Sequence, residues 1–494
     1  VLLYLHIPKT FLPVGDSGQL FGVFLFREGT SALEMQHVQE KIAEVAKKLP
    51  FFDDFVTNTN IPGGSFLPSM GLFWAKLRPV GERPPIQKVS EAVNGMIFEN
   101  VPGVIPLVRP LPSLQIDTGA TSNLQGDYAF TMTGLDPTVL YRAANICMER
   151  LKQQPGFTSI SSDMRVNTPF LDIEILRDKA SSFGLTVNDI EETLQLAMGG
   201  GRINQIMTPL NQYDIDVELL DDLRRFPENL ATLRMRGANG KELIPLSSVV
   251  KLNPRTGPES INHLNQLTAV NIYYNLKPGY PVGKATAALQ QIAREVLPPG
   301  VAGSSQGSAQ QFEQLIGGMS AMLIVAIFVI YLILGILYES YIHPITVLST
   351  LPTAGIGGLL ILVLARMDLS LYGFIGLFLL IGIVKKNAIM VVDFAIMRMK
   401  EGLAMEEAVI EACHERLRPI LMTTFAAILG AVPVAMGFGA EGASRRPLGL
   451  CVVVGLIVSQ ILTLFVTPVF YTYLEEFQTR VLDKIPLLRR AENS

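Results

Sequence analysis

Charge, histidine and cysteine are all scarce in this chain, and each shortage removes a class of function. Only 17% of the 494 residues are charged, against 49% hydrophobic, a balance more apolar than an ordinary soluble domain carries. The formal net charge is −4 with both signs interspersed. There is no basic stripe for a phosphate backbone, so nucleic acid is not expected as a partner. The histidines His6, His37, His263, His343 and His414 are scattered, and Cys147, Cys413 and Cys451 suggest neither a disulfide framework nor a metal site. A phosphate loop and a nucleophile elbow are missing too. The sequence therefore calls for no cofactor, no metal and no catalytic residues, and it does not read as an enzyme.

What is abundant is apolar sequence, and it is unevenly spread. Residues from about 15 to 312 are ordinary mixed sequence, whereas five later stretches approach the thickness of a hydrocarbon core: about 317–338, 344–365, 371–395, 419–439 and 447–474. Residues 1–7 are apolar but far short of the roughly 20 a spanning helix needs. They lack an initiator Met and a basic n-region, and are expected to be the tail of a transmembrane helix, with residues 1–12 as its end. Arg398, Lys400, Arg416 and Arg418 crowd one loop, and Arg480, Lys484, Arg489 and Arg490 crowd the tail. The positive-inside rule makes both cytoplasmic. Alternation then puts the mixed-sequence region on the other side, the periplasm in a bacterium with two membranes. Residues 400–415, with Met405, Val409 and Ala412 at helical spacing, read as a helix on the cytoplasmic face or a plain surface connector.

The third span carries Lys385-Lys386-Asn387 near its centre and Asp393 beyond it. A central Lys costs about 2.5–3.5 kcal/mol on insertion scales. Lys386 and Asp393 share a helix face but stand roughly 10 Å apart along the axis, too far to pair directly. Thr423 and Arg416 are likewise seven residues apart on the next segment. Apart from Asp393, the chain has no carboxylate at membrane depth to neutralise Lys386. Its counter-charge is expected on a helix this chain does not contain. Lys385 and Arg418 fit snorkelling to the interface as well as function.

The mixed-sequence half repeats a βαββαβ pattern, the split-βαβ or ferredoxin-like unit. Its first copy runs from Leu20 to Val108, with helices whose inner faces are Val38, Ile42, Val45, Leu49 and Ile86, Val89, Val93, Met96. The second begins at Tyr128 and closes only after Val270, so the segment between, about 166–253, is an inserted α+β domain. Within the insertion, a helix near Val187–Met198 and a hairpin at Asn239-Gly240 are expected. Inside the first copy, the Gly- and Pro-rich stretch 60–68 carries Phe66 and Leu67. With Met70, Phe73 and Trp74 nearby, it is the candidate substrate-facing wall. Phe55 lies close to the same stretch, and strand aromatics are more often core than pocket.

The segment Gly382-Ile-Val-Lys-Lys-Asn-Ala-Ile-Met-Val-Val-Asp-Phe-Ala395 resembles the tenth-helix motif of hydrophobe/amphiphile efflux pumps of the RND superfamily. Arg416-Leu-Arg-Pro-Ile-Leu-Met-Thr-Thr424, Leu337-Tyr-Glu-Ser-Tyr-Ile-His-Pro344, Arg445-Arg-Pro-Leu-Gly449 and Thr467-Pro468 match in order and spacing. The resemblance covers essentially the whole chain and is to AcrB/MdtC-like members, with wording closest to the MdtB/MdtC-like branch.

That resemblance implies the C-terminal half of a proton-driven transporter. It implies a membrane α-helical bundle (311–475) plus an α+β periplasmic region, with a cytoplasmic tail at 476–494. Two ferredoxin-like porter subdomains, 13–120 and 121–165 with 254–310, would carry a docking subdomain at 166–253. Lys386, Arg416 and Thr423 match the family's proton relay, supported by Asn387 and Asp393. Their partner, an aspartate pair, belongs to the N-terminal half. The family also implies a homo- or heterotrimer in the bacterial inner membrane, a periplasmic adaptor, an outer-membrane channel, and hydrophobic or amphiphilic substrates exchanged for protons. One position departs: where many drug-efflux members place a Phe in the flexible loop, this chain has Gly63 by spacing. Trp74 falls where the family commonly has a pocket aromatic. The alternatives are a metal exporter using Met70 and Met132 as Cu(I) ligands, and a non-transporting receptor or scaffold of the same fold.

Overall fold

The computed structural model describes residues 2–10, 15–59, 69–111, 125–237, 242–277, 279–439 and 442–477. A short helix, α1 (Leu2–His6), leads to Lys9, which bridges to Leu369. Tyr4 and Ile7 pack with Leu362, Leu369 and Phe374. The first layer then follows as β1 (Gln19–Phe26), α2 (Ala32–Lys47), β2 (Phe52–Thr59), β3 (Met70–Leu77), α3 (Ile86–Asn100) and β4 (Val104–Pro110). Its strands form one antiparallel sheet in the order β2-β3-β1-β4.

The helix period decides which residues meet that sheet. Met35, Ile42 and Ala46 of α2 and Ile86, Val89, Val93 and Ile97 of α3 close over Leu20, Phe24, Phe73, Ala75 and Leu77. Each fully buried large side chain contributes about 1.5–3 kcal/mol. Spacing from Ile86 put Met96 on the inner face, but Met96 is 41% exposed and Ile97 takes its place. The helix turns 100° per residue, so a one-residue error in the repeat moves a side chain from core to surface. Ser31 caps α2, its Oγ accepting from the Glu34 N–H.

A second layer begins with β5 (Tyr128–Gly134), α4 (Pro137–Lys152) and β6 (Phe157–Ser162). The chain then leaves it for a compact unit of its own, residues 165–260. That unit holds β7 (Thr168–Ile175), α5 (Arg177–Ser182), α6 (Val187–Leu194), β8 (Gly201–Met207), β9 (Gln212–Val217), α7 (Asp221–Arg224), β10 (Arg234–Arg236), β11 (Leu243–Pro245) and β12 (Val250–Gly257). Its core is built on Ala180, Leu185, Ile190, Leu230, Ile244, Leu246 and Val249. The α6 helix stops four residues before Met198, and the chain continues through a wider π turn at Gln195–Gly199. Asn239-Gly240 lies outside the described residues. The β8–β9 hairpin leaves Ile203, Ile206, Met207, Leu210 and Tyr213 exposed.

The second layer closes with β13 (Asn262–Leu264), β14 (Leu267–Leu276), α8 (Val282–Val296) and β15 (Val301–Gly307). Its main strands run β6-β14-β5-β15, with β13 folded back on β14. This is the strand order of the first layer again. One face buries Phe130, Met132, Leu140, Cys147, Val270, Ile272 and Leu289. On the other, Asn271 donates its backbone N–H (2.8 Å) and Nδ2 (2.6 Å) to Asp163, and Asn262 Nδ2 adds a third bond at 2.8 Å. Burial pushes the Asp163 carboxyl above its ordinary value, against the pull of those donors.

The last part is helical. α9 (Ser308–Tyr338) starts directly from β15, the turn made at Gly307 with φ +63°, where a side chain would be strained. It is followed by α10 (His343–Leu348), α11 (Leu351–Leu364), α12 (Leu371–Lys400), α13 (Met405–Met436) and α14 (Gly442–Phe477). Among the described residues, five helical stretches are long and apolar enough to cross a membrane, with α10 and α11 counted as one. One expectation is corrected here. Residues 405–415 are neither a separate surface helix nor a connector but the opening turns of α13, which continues through Pro419. Ala408, Val409 and Ala412 are buried against the bundle, and that packing outweighs the hydrogen bond Pro419 forfeits.

Close helix contact depends on small residues. A Cβ on Gly449 of α14 would stand 2.6 Å from Ala435 Cα on α13, so the backbones touch where Gly449 lies. We expect Gly449→Ala to cost about 1–3 kcal/mol through overpacking. A thermal melt of the detergent-solubilised protein checks this, and an unchanged midpoint would contradict it.

Candidate functional site

A polar side chain in a membrane helix must find its partner inside the bundle, and Asn387 does so. It lies on the inner side of α12, 6% exposed. Its Nδ2 donates to Thr424 Oγ1 on α13 (3.1 Å) and to Gln460 Oε1 on α14 (3.1 Å). Thr424 Oγ1 in turn donates to Gln460 Oε1 at 2.8 Å. Three helices are tied at one point by three hydrogen bonds. Sequence reasoning had Asn387 but missed Thr424 and Gln460. A Gln in the middle of an apolar span was the available signal for the latter.

The ionisable residues lie elsewhere. Lys386, one position from Asn387, is exposed on the outer side of α12. Exposed residues Leu379, Gly382, Lys386, Asp393 and Met397 follow one another at three-, four- and seven-residue steps, so they form a single stripe along the helix. Thr423 is exposed on α13, its hydroxyl donating to the Ile420 carbonyl at 3.1 Å. Arg416 is half-buried with its guanidinium 4.8 Å from the centre of the Phe394 ring. Its Nε makes no hydrogen bond among the described residues. Arg398 is committed to Glu401 and Glu411, each at 2.7 Å. The structure therefore separates the expected residues: Asn387 faces in, whereas Lys386, Asp393 and Thr423 face out.

The candidate substrate wall divides as well. Phe66 and Leu67 lie outside the described residues. Phe73 is fully buried in the first layer's core, stacked on Phe55 at 6.1 Å and tilted against Phe24 at 5.5 Å. It is not on a surface wall, because the period of two places it with Ala75 and Leu77 under the helices. Trp74, one residue on, points from the opposite face and is 37% exposed. It sits across from Phe21 on β1 and Val56 on β2. Met70 shares that face, buried with Val23, Leu25, Leu72 and Leu107. This apolar second face went unread, although β1 is apolar at nearly every position, as a strand buried on both sides should be. Met132 lies in the core of the second layer. No group of three His, Cys, Asp or Glu residues able to hold a metal occurs among the described residues.

Replacing Asn387 with Ala leaves Thr424 and Gln460 with one shared hydrogen bond where there were three. We expect a loss of about 1–3 kcal/mol, read as a lower melting midpoint in lipid nanodiscs, with Thr424→Val showing a comparable drop. Midpoints unchanged in both variants would mean that the cluster does not fasten the helices.

Two crystal structures, both described as a heavy metal efflux pump, share this fold. One superposes with a TM-score of 0.81 and 24% sequence identity over 96% of this chain and 49% of its own. The second, another crystal form, gives 0.80 and 24% over 96% and 48%. The chain thus spans about half the length of the structures it matches. A family model described as AcrB/AcrD/AcrF matches residues 1–475. With that match over nearly its whole length, the chain belongs to the AcrB/AcrD/AcrF family, within the RND superfamily.

Proposed function

We propose that this chain supplies the basic side of a proton relay in an inner-membrane exporter that moves hydrophobic and amphiphilic compounds, such as drugs, detergents and bile-salt-like molecules, in exchange for protons. The observation that carries the reading is the outward stripe of α12. Lys386 and Asp393 stand exposed along one stripe of that helix, and neither forms an ion pair among the described residues. A lysine at membrane depth without a counter-charge is costly. A carboxylate pair on a helix outside this chain, facing Lys386, Arg416 and Thr423, would remove that cost. Protonation of the pair would weaken its hold on Lys386, and the helices would shift between two arrangements.

The two layers of like strand order are, in this reading, porter subdomains at 13–120 and at 121–165 with 254–310. The compact unit is a docking subdomain, about 166–253, and residues 476–494 form a cytoplasmic tail. The exposed apolar tip of the β8–β9 hairpin suits a contact with a neighbouring subunit, in keeping with a homo- or heterotrimer. A periplasmic adaptor and an outer-membrane channel would complete the route. The apolar face bearing Trp74 supports an amphiphilic substrate. Metal export is the second reading, favoured by the description of the two structural neighbours. Met70 and Met132 belong to different cores, and no acid, His or Cys cluster supports that reading among the described residues.

The test is export from a pump-deficient Gram-negative host carrying this chain with its N-terminal half. Cells would be challenged with amphiphilic dyes and bile salts in one arm and copper or zinc salts in the other. We expect gradient-dependent dye export that falls at least about tenfold in Lys386→Ala at equal membrane abundance. Export that survives Lys386→Ala would refute the relay. Protection against metal salts alone would replace the substrate class.

A further inference from the structure

The α14 helix carries a polar ladder that the relay does not use. Ser459, Thr463, Thr467, Tyr471 and Glu475 recur every four residues and are all buried. Each residue neighbours the next along one ridge of the helix, which climbs roughly 24 Å and winds about 160° around the axis. Ser459 and Thr463 are in hydrogen-bond contact at 3.4 Å. Thr467 is 0% exposed, and its Oγ1 makes no hydrogen bond among the described residues. At the upper end lies Gln460, next to Ser459 and three residues from Thr463, in the Asn387 cluster. At the lower end, Glu475 Oε2 stands 3.7 Å from His343 Nδ1 on α10, with both side chains buried. The His343 ring lies flat against Tyr471 (5.7 Å, 15°) and meets the edge of Tyr338 of α9 (5.8 Å, 72°).

Such a row is expensive in a membrane interior. A hydroxyl can satisfy itself on its own helix, as Thr346 does on the Ile342 carbonyl at 3.3 Å. Thr467 does not, and the charge of a buried carboxylate 3.7 Å from an imidazole depends on how many protons the two groups hold together. Other titratable groups on the helices packed against α10 and α14 include Tyr338 of α9, Asp393 and Arg398 of α12, and Glu411, Cys413 and Arg416 of α13. Arg398 is held by Glu401 and Glu411, Asp393 is exposed, and Arg416 rests on Phe394. The remaining acid on the last turn of α14 is Glu476.

We propose that a second proton path runs inside the bundle along this ladder, from the Asn387–Thr424–Gln460 cluster to the His343–Glu475 pair, which holds a proton before its release. Rungs roughly 6 Å apart along the axis are spaced for one bridging water each. Every hydroxyl accepts one proton and passes on its own, so no rung changes charge after a transfer. Only the His343–Glu475 pair stores a proton. By the distribution of Lys and Arg, the release end is cytoplasmic. The path rests on the transport reading, but the terminal pair can be examined without it.

Infrared titration of the purified chain in nanodiscs tests the pair. We expect a carboxylic-acid band that disappears in Glu475→Gln and whose midpoint moves by about one pH unit or more in His343→Gln. A midpoint indifferent to His343 would overturn the shared proton. Proton flux into proteoliposomes of the assembled transporter tests the ladder. Thr467→Val should slow flux about tenfold at an unchanged melting midpoint, and Thr467→Ser, which keeps the hydroxyl, should restore it. Equal flux in both variants, or slowing explained by a lowered melting midpoint, would make the ladder structural. An assembly without native proton flux would reject the transport reading and the path together, while the titration still decides the pair.

Discussion

Inside hydrocarbon, a hydrogen-bonding group has only the protein to turn to, and this constraint organises the helical half of the molecule. Asn387, Thr424 and Gln460 answer it by bonding to one another, which fixes the rotation of α12, α13 and α14 about their axes. With Asn387 turned inward, Lys386, 100° to one side of it, reaches the outer face, whereas Ala388, 100° to the other side, stays buried. The outward stripe that carries the proposed relay is thus a consequence of an inward amide. Close backbone contacts such as Gly449 against Ala435 hold the same arrangement from a second point.

The two layers outside the bundle share strand order but differ in what their second faces offer. In the first, Val23, Leu25, Met70, Leu72 and Leu107 make that face apolar. In the second, the same position is taken by Thr131, Asn271 and Asp163, bonded through side chains. Strand order is set by the helices that pack on one side of each sheet, which the two layers have in common although the second carries the compact unit between β6 and β14. The second faces are free of that requirement and can diverge toward different surfaces.

How much of this was legible in the sequence depends on the length of the signal. Helices of fourteen or more residues repeat their apolar pattern several times, so Ile42 and Val89 were placed on inner faces from spacing alone. At helix ends the pattern has too few repeats to hold register, and Met96 was exchanged for Ile97. Residues 405–415 were read apart from the bundle because the apolar span was drawn only from about 419, whereas tertiary packing carries one helix through Pro419. In the site, Lys386 and Asn387 announced themselves by their cost in an apolar run. Thr424 did not, because a Thr in a membrane helix most often bonds its own backbone, and only the fold brings Asn387 and Gln460 to it. Phe73 and Trp74 are adjacent aromatics with opposite fates, decided by the strand's alternation rather than by residue type.

The joint between β15 and α9 is a single residue, Gly307, with no loop to absorb displacement. β15 is bonded along its whole length to β5, the strand at the heart of the second layer. The pair is a rod on a one-residue pivot: an axial displacement of the helix would pass to the sheet with no loop between them, while torsion would fall on the glycine.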